Sequence, residues 1–286
     1  MIKSHLLTAF FLVMLVSLLS AQEKDARYAN ASQVFPFGVV EHLDSKALGE
    51  ARVLNIYLPQ GYHPDSSATY PVIYVLDGSA HEDFPHIAGL AQFLNMYDLL
   101  PKSIVVGIAN VDRYRDFTYP SSDEEDQKNL PTSGGSEKFI RFVETEAQPF
   151  VNKHYKTSDH NTIIGQSLGG LIATEILMTK PALFDDYIIV SPSLWWDKQQ
   201  LVGKAASFFK ERQDLEKKIF VSLGREHPVM HEVADQLVAA IKNSGNDKLT
   251  VFYEPILDED HATILHHAVY RAFRTIYAKP KEDTHD

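Results

Sequence analysis

The sequence contains no cysteine among its 286 residues. The chain therefore has no disulfide, no thiolate metal ligand and no cysteine nucleophile, and it offers no cysteine for lipid attachment. We expect the fold to be stabilised by its hydrophobic core alone.

Basic residues are in the minority, with 27 Lys and Arg against 38 Asp and Glu and a net charge of −11. Nucleic acids and anionic membrane surfaces attract clustered basic side chains, so we expect neither as the main partner. With 44% hydrophobic and 23% charged residues, the composition is typical of a globular protein with a sizeable core. One domain is the expectation and two are the alternative; no obligate protein partner is evident.

The first 21 residues have the pattern of a secretory signal peptide. Lys3 precedes an apolar run at 6–19, and the small residues Ser20 and Ala21 close it. An uncleaved membrane anchor is the alternative, although the run is shorter than the roughly 20 apolar residues that a spanning helix needs. We expect a periplasmic or secreted protein with no stable membrane anchor after cleavage.

The composition predicts four segments: a signal peptide at 1–21, a polar lead-in at 22–32, a folded domain at 33–278 and a polar tail at 279–286. Inside the domain, a long irregular stretch at 110–135 contains an acidic run. Because such long connections are uncommon in compact domains, this stretch is a candidate binding loop or mobile lid. A solvated insertion without a role is the alternative.

The domain alternates short apolar runs with helical patterns. Two runs, at 33–42 and 51–59, predict an antiparallel hairpin at a sheet edge. Six nearly continuous apolar runs follow, at 72–76, 104–108, 162–164, 187–190, 219–223 and 249–253. Runs of this kind are typical of parallel strands covered on both faces by helices, and helical patterns do lie between them, including 136–155, with a kink at Pro149, and 229–244.

The strongest motif is Gly165-Gln166-Ser167-Leu168-Gly169, which fits the pattern G-x-S-x-G. Chance supplies that pattern in about one chain in ten of this length, so its context decides. It follows the run at 162–164 and opens a helical pattern at 171–179, which is the strand, turn and helix of a nucleophile elbow. We therefore predict an α/β-hydrolase fold, mostly parallel with an antiparallel N-terminal edge hairpin, and Ser167 as nucleophile.

A serine nucleophile needs a histidine base and usually a carboxylate that orients it. In this fold the chain order is serine, acid, histidine, with the acid after the second strand beyond the elbow and the histidine after the third. Glu226 follows the run at 219–223, and His261 follows the run at 249–253. Ser167, Glu226 and His261 are the predicted catalytic residues.

Alternatives to both partners exist nearby in the sequence. His227 adjoins the predicted acid, while His266 and His267 lie on the following helical pattern. For the acid, Asp258 or Asp260 could substitute, or a Ser-His pair could act without one.

The oxyanion formed in acyl transfer needs preorganised donors, commonly two backbone N–H groups. Leu168, directly after the nucleophile, is expected to supply one. Ser79 is expected to supply the other, because Gly78 permits a turn after the run at 72–76. A plain strand-ending turn at this point would look the same in sequence.

Metal and cofactor motifs are weak or missing. His231-Glu232 begins like a zinc-protease helix, but Asp235 stands where the second histidine is required. His227 and His231 could share a helix face as ligands, which we consider the less favoured interpretation. No phosphate-binding or dinucleotide-binding glycine loop is present, so we expect no metal and no cofactor.

Four segments resemble the esterase family that contains esterase D, enterochelin and other ferric-siderophore esterases, feruloyl and acetylxylan esterases, and mycolyltransferases. They are Val75-Leu76-Asp77-Gly78, Arg113-Tyr114-Arg115-Asp116-Phe117-Thr118, Gly165-Gln166-Ser167-Leu168-Gly169-Gly170 and Ser191-Pro192-Ser193-Leu194-Trp195-Trp196. The resemblance runs from about residue 33 to 277, and the last segment is most similar to the siderophore-esterase branch.

The resemblance implies an esterase that uses Ser167 and His261, with Glu226 at the matching acid position. Because that branch holds an anionic ferric catecholate with basic and aromatic side chains, it also implies substrate contacts. These would come from Arg113, Arg115, Trp195 and Trp196. The small-molecule substrate stays open between a siderophore lactone and a feruloyl or acetyl carbohydrate ester. Acyl transfer and a non-catalytic binding protein on the same fold are the alternative functions.

Overall fold

The structure is a computed structural model that describes residues 35–278. The predicted signal peptide at 1–21, the lead-in at 22–32 and the polar tail at 279–286 lie outside the described residues, so they stay predictions. Across 35–278, no helix has both the length and the apolar character to cross a membrane.

Eight strands form at or beside the predicted apolar runs. Two of them, Ile104–Ile108 and Leu249–Tyr253, match the predicted bounds at both ends. The strands are β1 Val39–Ser45, β2 Glu50–Tyr57, β3 Tyr70–Val75, β4 Ile104–Ile108, β5 Thr157–Gln166, β6 Asp186–Val190, β7 Lys217–Ser222 and β8 Leu249–Tyr253. Strands β4 and β6 are buried at every position, as expected for strands covered on both faces.

All eight strands belong to one sheet with the order β1-β2-β4-β3-β5-β6-β7-β8. Strand β2 pairs antiparallel with both β1 and β4, and every later pairing is parallel. The predicted mostly parallel sheet with an antiparallel N-terminal edge is therefore confirmed. In a parallel sheet the carboxyl ends of the strands meet at one edge, where α/β proteins place their ligands.

Ten α-helices of the described range surround this sheet. They are α1 Phe84–Met96, α2 Arg113–Phe117, α3 Glu124–Asn129, α4 Ser136–Phe142, α5 Gln148–His154, α6 Leu168–Thr179, α7 Trp196–Gly203, α8 Ala205–Glu211, α9 Pro228–Lys242 and α10 Ile264–Ile276. Helix α10 buries a continuous apolar stripe, including Ile264, Val269 and Phe273, which explains why it packs on the sheet.

The helical pattern predicted for 136–155 is interrupted before Pro149 rather than at it. A π-helical turn, Val143–Ala147, separates α4 from α5. Pro149 then occupies the first turn of α5, where its missing N–H costs no intrahelical hydrogen bond. The extra residue of the π turn thus accommodates the proline within one nearly continuous helical segment.

The stretch at 110–135 is not structureless, because it contains α2 and α3. Part of its acidic run stabilises α3, since Asp123 caps that helix by accepting a hydrogen bond from the N–H of Glu125 at 3.0 Å. The stretch is also attached to α7, because the carboxylate of Asp197 accepts a hydrogen bond from the N–H of Ser122 at 2.7 Å.

Helix α6 carries a buried carboxyl group, Glu175, which is only 9% exposed. One of its oxygens accepts a hydrogen bond from the Ser136 hydroxyl at 2.9 Å, and the other has no partner among the described residues. Burial raises the pKa of Glu175 to about 7, an effect that the Ser136 hydrogen bond opposes without cancelling.

Glu175→Gln should therefore flatten the pH dependence of stability. A carboxyl whose pKa is higher in the folded state than in the unfolded chain favours folding below pH 4.5, and this contribution is lost as the pH rises through about 7. Relative to the variant, the wild-type free energy of unfolding should fall by about 2.5 kcal/mol between pH 5 and 8. Urea unfolding at several pH values measures the difference. The exposed Glu232→Gln is the matched control, and parallel curves for E175Q and wild type would contradict the prediction.

Candidate active site

Ser167 lies on a sharp turn between β5, which ends at Gln166, and α6, which begins at Leu168. Its backbone is left-handed, with φ 60° and ψ −119°, a strained conformation for a residue with a side chain. The turn is possible because β5 and α6 approach closely at two glycines: a Cβ added to Gly165 would lie 2.2 Å from the carbonyl oxygen of Gly169. This is the geometry of a nucleophile elbow.

His261 and Glu226 meet beside this turn. Nδ1 of His261 lies 3.0 Å from Oε2 of Glu226, whose side chain is 3% exposed, whereas that of His261 is 47% exposed. Glu226 follows β7 and His261 follows β8, and the two loops are joined where the Arg225 N–H donates to the carbonyl oxygen of Glu259 at 2.7 Å. The histidine therefore has its carboxylate partner in place.

Glu226 is kept ionised by its hydrogen bonds. Burial alone would raise the pKa of this carboxyl, but donors oppose it, namely His261, the Ser191 hydroxyl and the N–H of Gly224 at 3.3 Å. The net result is a pKa below the ordinary value for glutamate. An anionic Glu226 can fix the tautomer of His261 and stabilise the imidazolium form of its ring.

The hydroxyl of Ser167 contacts a second serine. Within residues 35–278 its one side-chain hydrogen bond is to Oγ of Ser193, at 3.3 Å, and not to His261. Ser193 is 2% exposed, and its N–H also donates to the carbonyl oxygen of Ser167 at 3.0 Å. Ser193 therefore holds both the backbone and the side chain of Ser167.

The rival histidines have other contacts. His227 caps α9 by accepting a hydrogen bond from the N–H of Val229 at 3.3 Å. Nδ1 of His266 lies 3.1 Å from Nδ1 of His86, and Nδ1 of His267 lies 2.5 Å from a carboxylate oxygen of Glu259.

The rival acids are likewise not bonded to His261 among the described residues. Asp260 caps the turn that follows it, because its carboxylate accepts a hydrogen bond from the N–H of Ala262 at 2.9 Å. No hydrogen bond joins the side chain of Asp258 to any residue of 35–278.

The loop predicted to hold the oxyanion follows β3 closely. Asp77 has a positive φ of 54°, and a Cβ on Gly78 would lie 2.4 Å from Cα of Gly107, so the loop lies directly against β4. The N–H of Ser79 is already engaged, donating to Oε2 of Glu82 at 3.3 Å. Glu82 is exposed, so an incoming acceptor can replace this carboxylate.

Arg113, predicted to contact substrate, is tied to the same loop. Its Nε and Nη2 donate to the two oxygens of Asp77 at 2.6 and 2.9 Å, and Nη2 also approaches the carbonyl oxygen of Gln166 at 3.3 Å. The guanidinium thus joins the oxyanion loop to the residue before the nucleophile. Asp77 already pairs the charge of Arg113, and the contact of Arg113 with substrate stays a prediction.

Arg115 is paired even more fully. It donates to both oxygens of Glu50, at 3.0 and 2.6 Å, and to Asp116 at 2.8 Å. Asp116 in turn binds the fully buried Arg52 at 2.6 Å. These ion pairs fasten α2 to the N-terminal hairpin, so the charge of Arg115 is already paired within the fold, and its contact with substrate stays a prediction.

The two tryptophans differ in position. Trp196 is fully buried, and its indole N–H donates to the carbonyl oxygen of Tyr119 at 2.9 Å, so it belongs to the core and not to a substrate surface. Trp195 is half-buried and packs edge-on against Trp196 with ring centres 6.1 Å apart. Of the predicted pair, only Trp195 has a face left for a ligand.

Three polar residues that the sequence pattern did not single out belong to the site. Ser191 donates to Glu226, Ser193 contacts Ser167, and Asp77 binds Arg113. Both serines lie in the Ser-Pro-Ser-Leu-Trp-Trp segment. The motif therefore pointed to this part of the site, although only its tryptophans were predicted to take part. Within 35–278 no group of three or more His, Asp or Glu is arranged to hold a metal ion.

The sheet, the elbow and the adjacent His-Glu pair define an α/β-hydrolase. The chain matches the family model described as Putative esterase over residues 45–254, and it belongs to that family. This places the protein among hydrolases that act on esters.

Individual relatives agree with this assignment. The ferri-bacillibactin esterase BesA of Bacillus subtilis is 29% identical over 206 residues, which are 65% of this chain and 70% of that protein. The BES protein from Bacillus cereus has 26% identity and a TM-score of 0.76, covering 87% of this chain and 98% of its own. An IroE-like serine hydrolase from Shewanella oneidensis has 27% identity and a TM-score of 0.74, covering 84% and 80%.

Proposed function

We propose that the protein is an exported serine esterase that hydrolyses a carboxylic ester through the triad Ser167, His261 and Glu226. The observation that carries the proposal is the 3.0 Å contact between Nδ1 of His261 and Glu226, beside a serine on a strained elbow. That contact leaves Nε2 of His261 as the nitrogen that can accept the proton of Ser167.

The reaction follows from these positions. The substrate carbonyl binds with its oxygen toward the N–H groups of Leu168 and Ser79. His261 removes the Ser167 proton as Oγ attacks, then donates it to the departing alcohol, leaving an acyl-enzyme that a water molecule hydrolyses by the same steps. Each amide donor contributes about 3 to 4 kcal/mol to stabilising the oxyanion.

Two hydrogen bonds of the site have to change during turnover. Ser167 must exchange its hydrogen bond with Ser193 for one with His261, and Ser79 must release Glu82. Both are single hydrogen bonds of 3.3 Å, so the rearrangement is small. Catalytic hydrogen bonds that tighten only once substrate binds are common among hydrolases.

The triad makes a direct prediction for Ser167→Ala. Hydrolysis of p-nitrophenyl acetate should fall by at least about a thousandfold, because the acyl-enzyme cannot form. A fluorophosphonate probe should label wild type and not the variant, while far-UV circular dichroism stays unchanged. Ser222→Ala, which removes another buried hydroxyl, is the control. Retained turnover in S167A would exclude the triad, and wild type that resists the probe would indicate a non-catalytic binding protein.

For the substrate, we propose an anionic siderophore lactone, by similarity to the ferri-bacillibactin esterase BesA. With Arg113 and Arg115 paired internally, we infer that Arg225 supplies a cation to this ligand. It is exposed, adjoins Glu226, and forms no side-chain ion pair within the described part of the chain. Trp195 offers an aromatic face to the same ligand.

Loss of the Arg225 charge should therefore slow hydrolysis of an anionic substrate and not of a neutral one. Arg225→Gln should lower kcat/KM for a ferric tris-catecholate lactone about fivefold, the loss expected for one exposed ion pair, and leave p-nitrophenyl acetate unaffected. Lys242→Gln, an exposed cation at the end of α9, is the control. Equal rates of wild type and R225Q on the lactone would contradict the substrate assignment. So would a wild-type enzyme that hydrolyses feruloyl esters or acetylated sugars faster than the lactone. Transesterified product with added alcohols would indicate an acyltransferase.

Export is the remaining part of the proposal and depends on the pattern of residues 1–21. A signal peptide of this kind should be removed in the periplasm or during secretion. Intact-mass analysis of protein recovered outside the cytoplasm should give a chain that starts near residue 22. Recovery of the full-length chain from the membrane fraction would favour the anchor instead.

A further inference from the structure

Ser191 connects the end of β6 to the carboxylate beside the nucleophile. Its hydroxyl donates to Oε1 of Glu226, and its N–H donates to the carbonyl oxygen of Ser222 in β7 at 2.8 Å. Ser191 is fully buried, so no solvent competes for either bond. The residue is therefore fixed to the sheet on one side and to Glu226 on the other.

The backbone of Ser191 is strained where this contact is made. Its φ is 45°, in the left-handed region, although it carries a side chain and precedes Pro192. A residue before proline normally adopts an extended backbone. Strain of this kind is found most often at functional sites. Glycine would relieve it, yet this position holds a serine whose hydroxyl reaches the carboxylate.

The two oxygens of Glu226 have different partners. Oε1 receives the Ser191 hydroxyl and the N–H of Gly224, and Oε2 faces Nδ1 of His261. A carboxylate held only by the histidine could rotate about its side-chain bonds and present either oxygen. With Oε1 occupied by fixed donors, Oε2 is the oxygen that remains for His261.

We propose that Ser191 is a positioning residue that orients Glu226, so that Ser191, Glu226 and His261 form one hydrogen-bonded chain, which Ser167 joins when it exchanges Ser193 for His261. The inference rests on the proposed function for its catalytic consequence, while the orientation itself is a property of the folded protein. Among the described residues the Ser191 hydroxyl is hydrogen-bonded to Glu226 and to neither Ser167 nor His261, so its influence on the reaction passes through the carboxylate.

The neighbouring residues support this separation of roles. Ser193, two residues further along the same turn, contacts Ser167, so one short segment after β6 fixes the acid with one serine and the nucleophile with the other. Of the charged groups on the facing loop, Glu259 is paired with His267, and Asp260 caps its own turn. Neither replaces Ser191 as a donor, since both are acceptors.

Two substitutions separate the hydroxyl from the backbone strain. Ser191→Ala removes the hydroxyl and keeps the strained φ, whereas Ser191→Gly removes both. In each, kcat should fall about ten- to a hundredfold, the loss expected for a hydrogen bond to a charged group, with KM unchanged. S191G should unfold at a higher urea concentration than S191A, because glycine tolerates positive φ. If S191A and S191G lose the same activity but differ in stability, the loss of activity comes from the missing hydroxyl and not from the backbone strain.

A measurement that needs no turnover completes the test. In protein with 13C-labelled glutamate carboxyls, assigned with Glu226→Gln, removal of the Ser191 donor should raise the pKa of Glu226 toward the ordinary value. Ser222→Ala, a buried serine of the adjacent strand that donates to the carbonyl oxygen of Glu254, is the control and should leave the titration unchanged. Wild-type kcat together with wild-type titration in S191A and S191G would overturn the inference. If the titration of Glu226 changes in S191A while the wild-type protein has no esterase activity, the positioning role of Ser191 stands and only the proposed function is contradicted.

Discussion

The close approach of β5 to α6 is the constraint on which the site depends. Ser167 can occupy a left-handed turn only because Gly165 and Gly169 have no side chains where the strand meets the helix. Gly170 likewise has no side chain, which leaves room for the backbone of Pro192: a Cβ on Gly170 would lie 2.9 Å from Cα of Pro192. The turn after β6 can therefore reach the nucleophile. Packing at three glycines thus decides both where the serine points and which residues touch it.

The remaining parts reach the serine because parallel strands end at one edge. Strands β6, β7 and β8 are neighbours in the sheet, and the loops that follow them carry Ser191, Glu226 and His261. On the other side of β5, the turn after β3 carries Ser79, the proposed oxyanion donor, and Arg113 ties this turn to the elbow through Asp77. Each part comes from a different strand, so the sheet register, rather than any one loop, sets their distances.

Much of this could be predicted from sequence because it depends on local pattern. Buried parallel strands are continuous apolar runs, the elbow is a pentapeptide, and the positions of Glu226 and His261 follow from counting strands. The functions of the arginines could not be predicted. The partner of Arg113 is 36 residues away at Asp77, and that of Arg115 is 65 residues away at Glu50, so only the folded chain reveals that both charges are neutralised. Burial of Trp196 is likewise a tertiary outcome.

Two donors of the site already have acceptors within the fold, and this bears on how the site discriminates among acceptors. The N–H of Ser79 holds the carboxylate of Glu82, and Glu226 takes the hydroxyl of Ser191. A neutral ester carbonyl is a weaker acceptor than a carboxylate, so it gains little by displacing Glu82. The oxyanion of the tetrahedral intermediate carries a full charge and competes on equal terms. In the proposed mechanism the N–H of Ser79 would therefore change partner only as the oxyanion forms, and the cost of displacing Glu82 subtracts from the stabilisation that this donor gives the transition state.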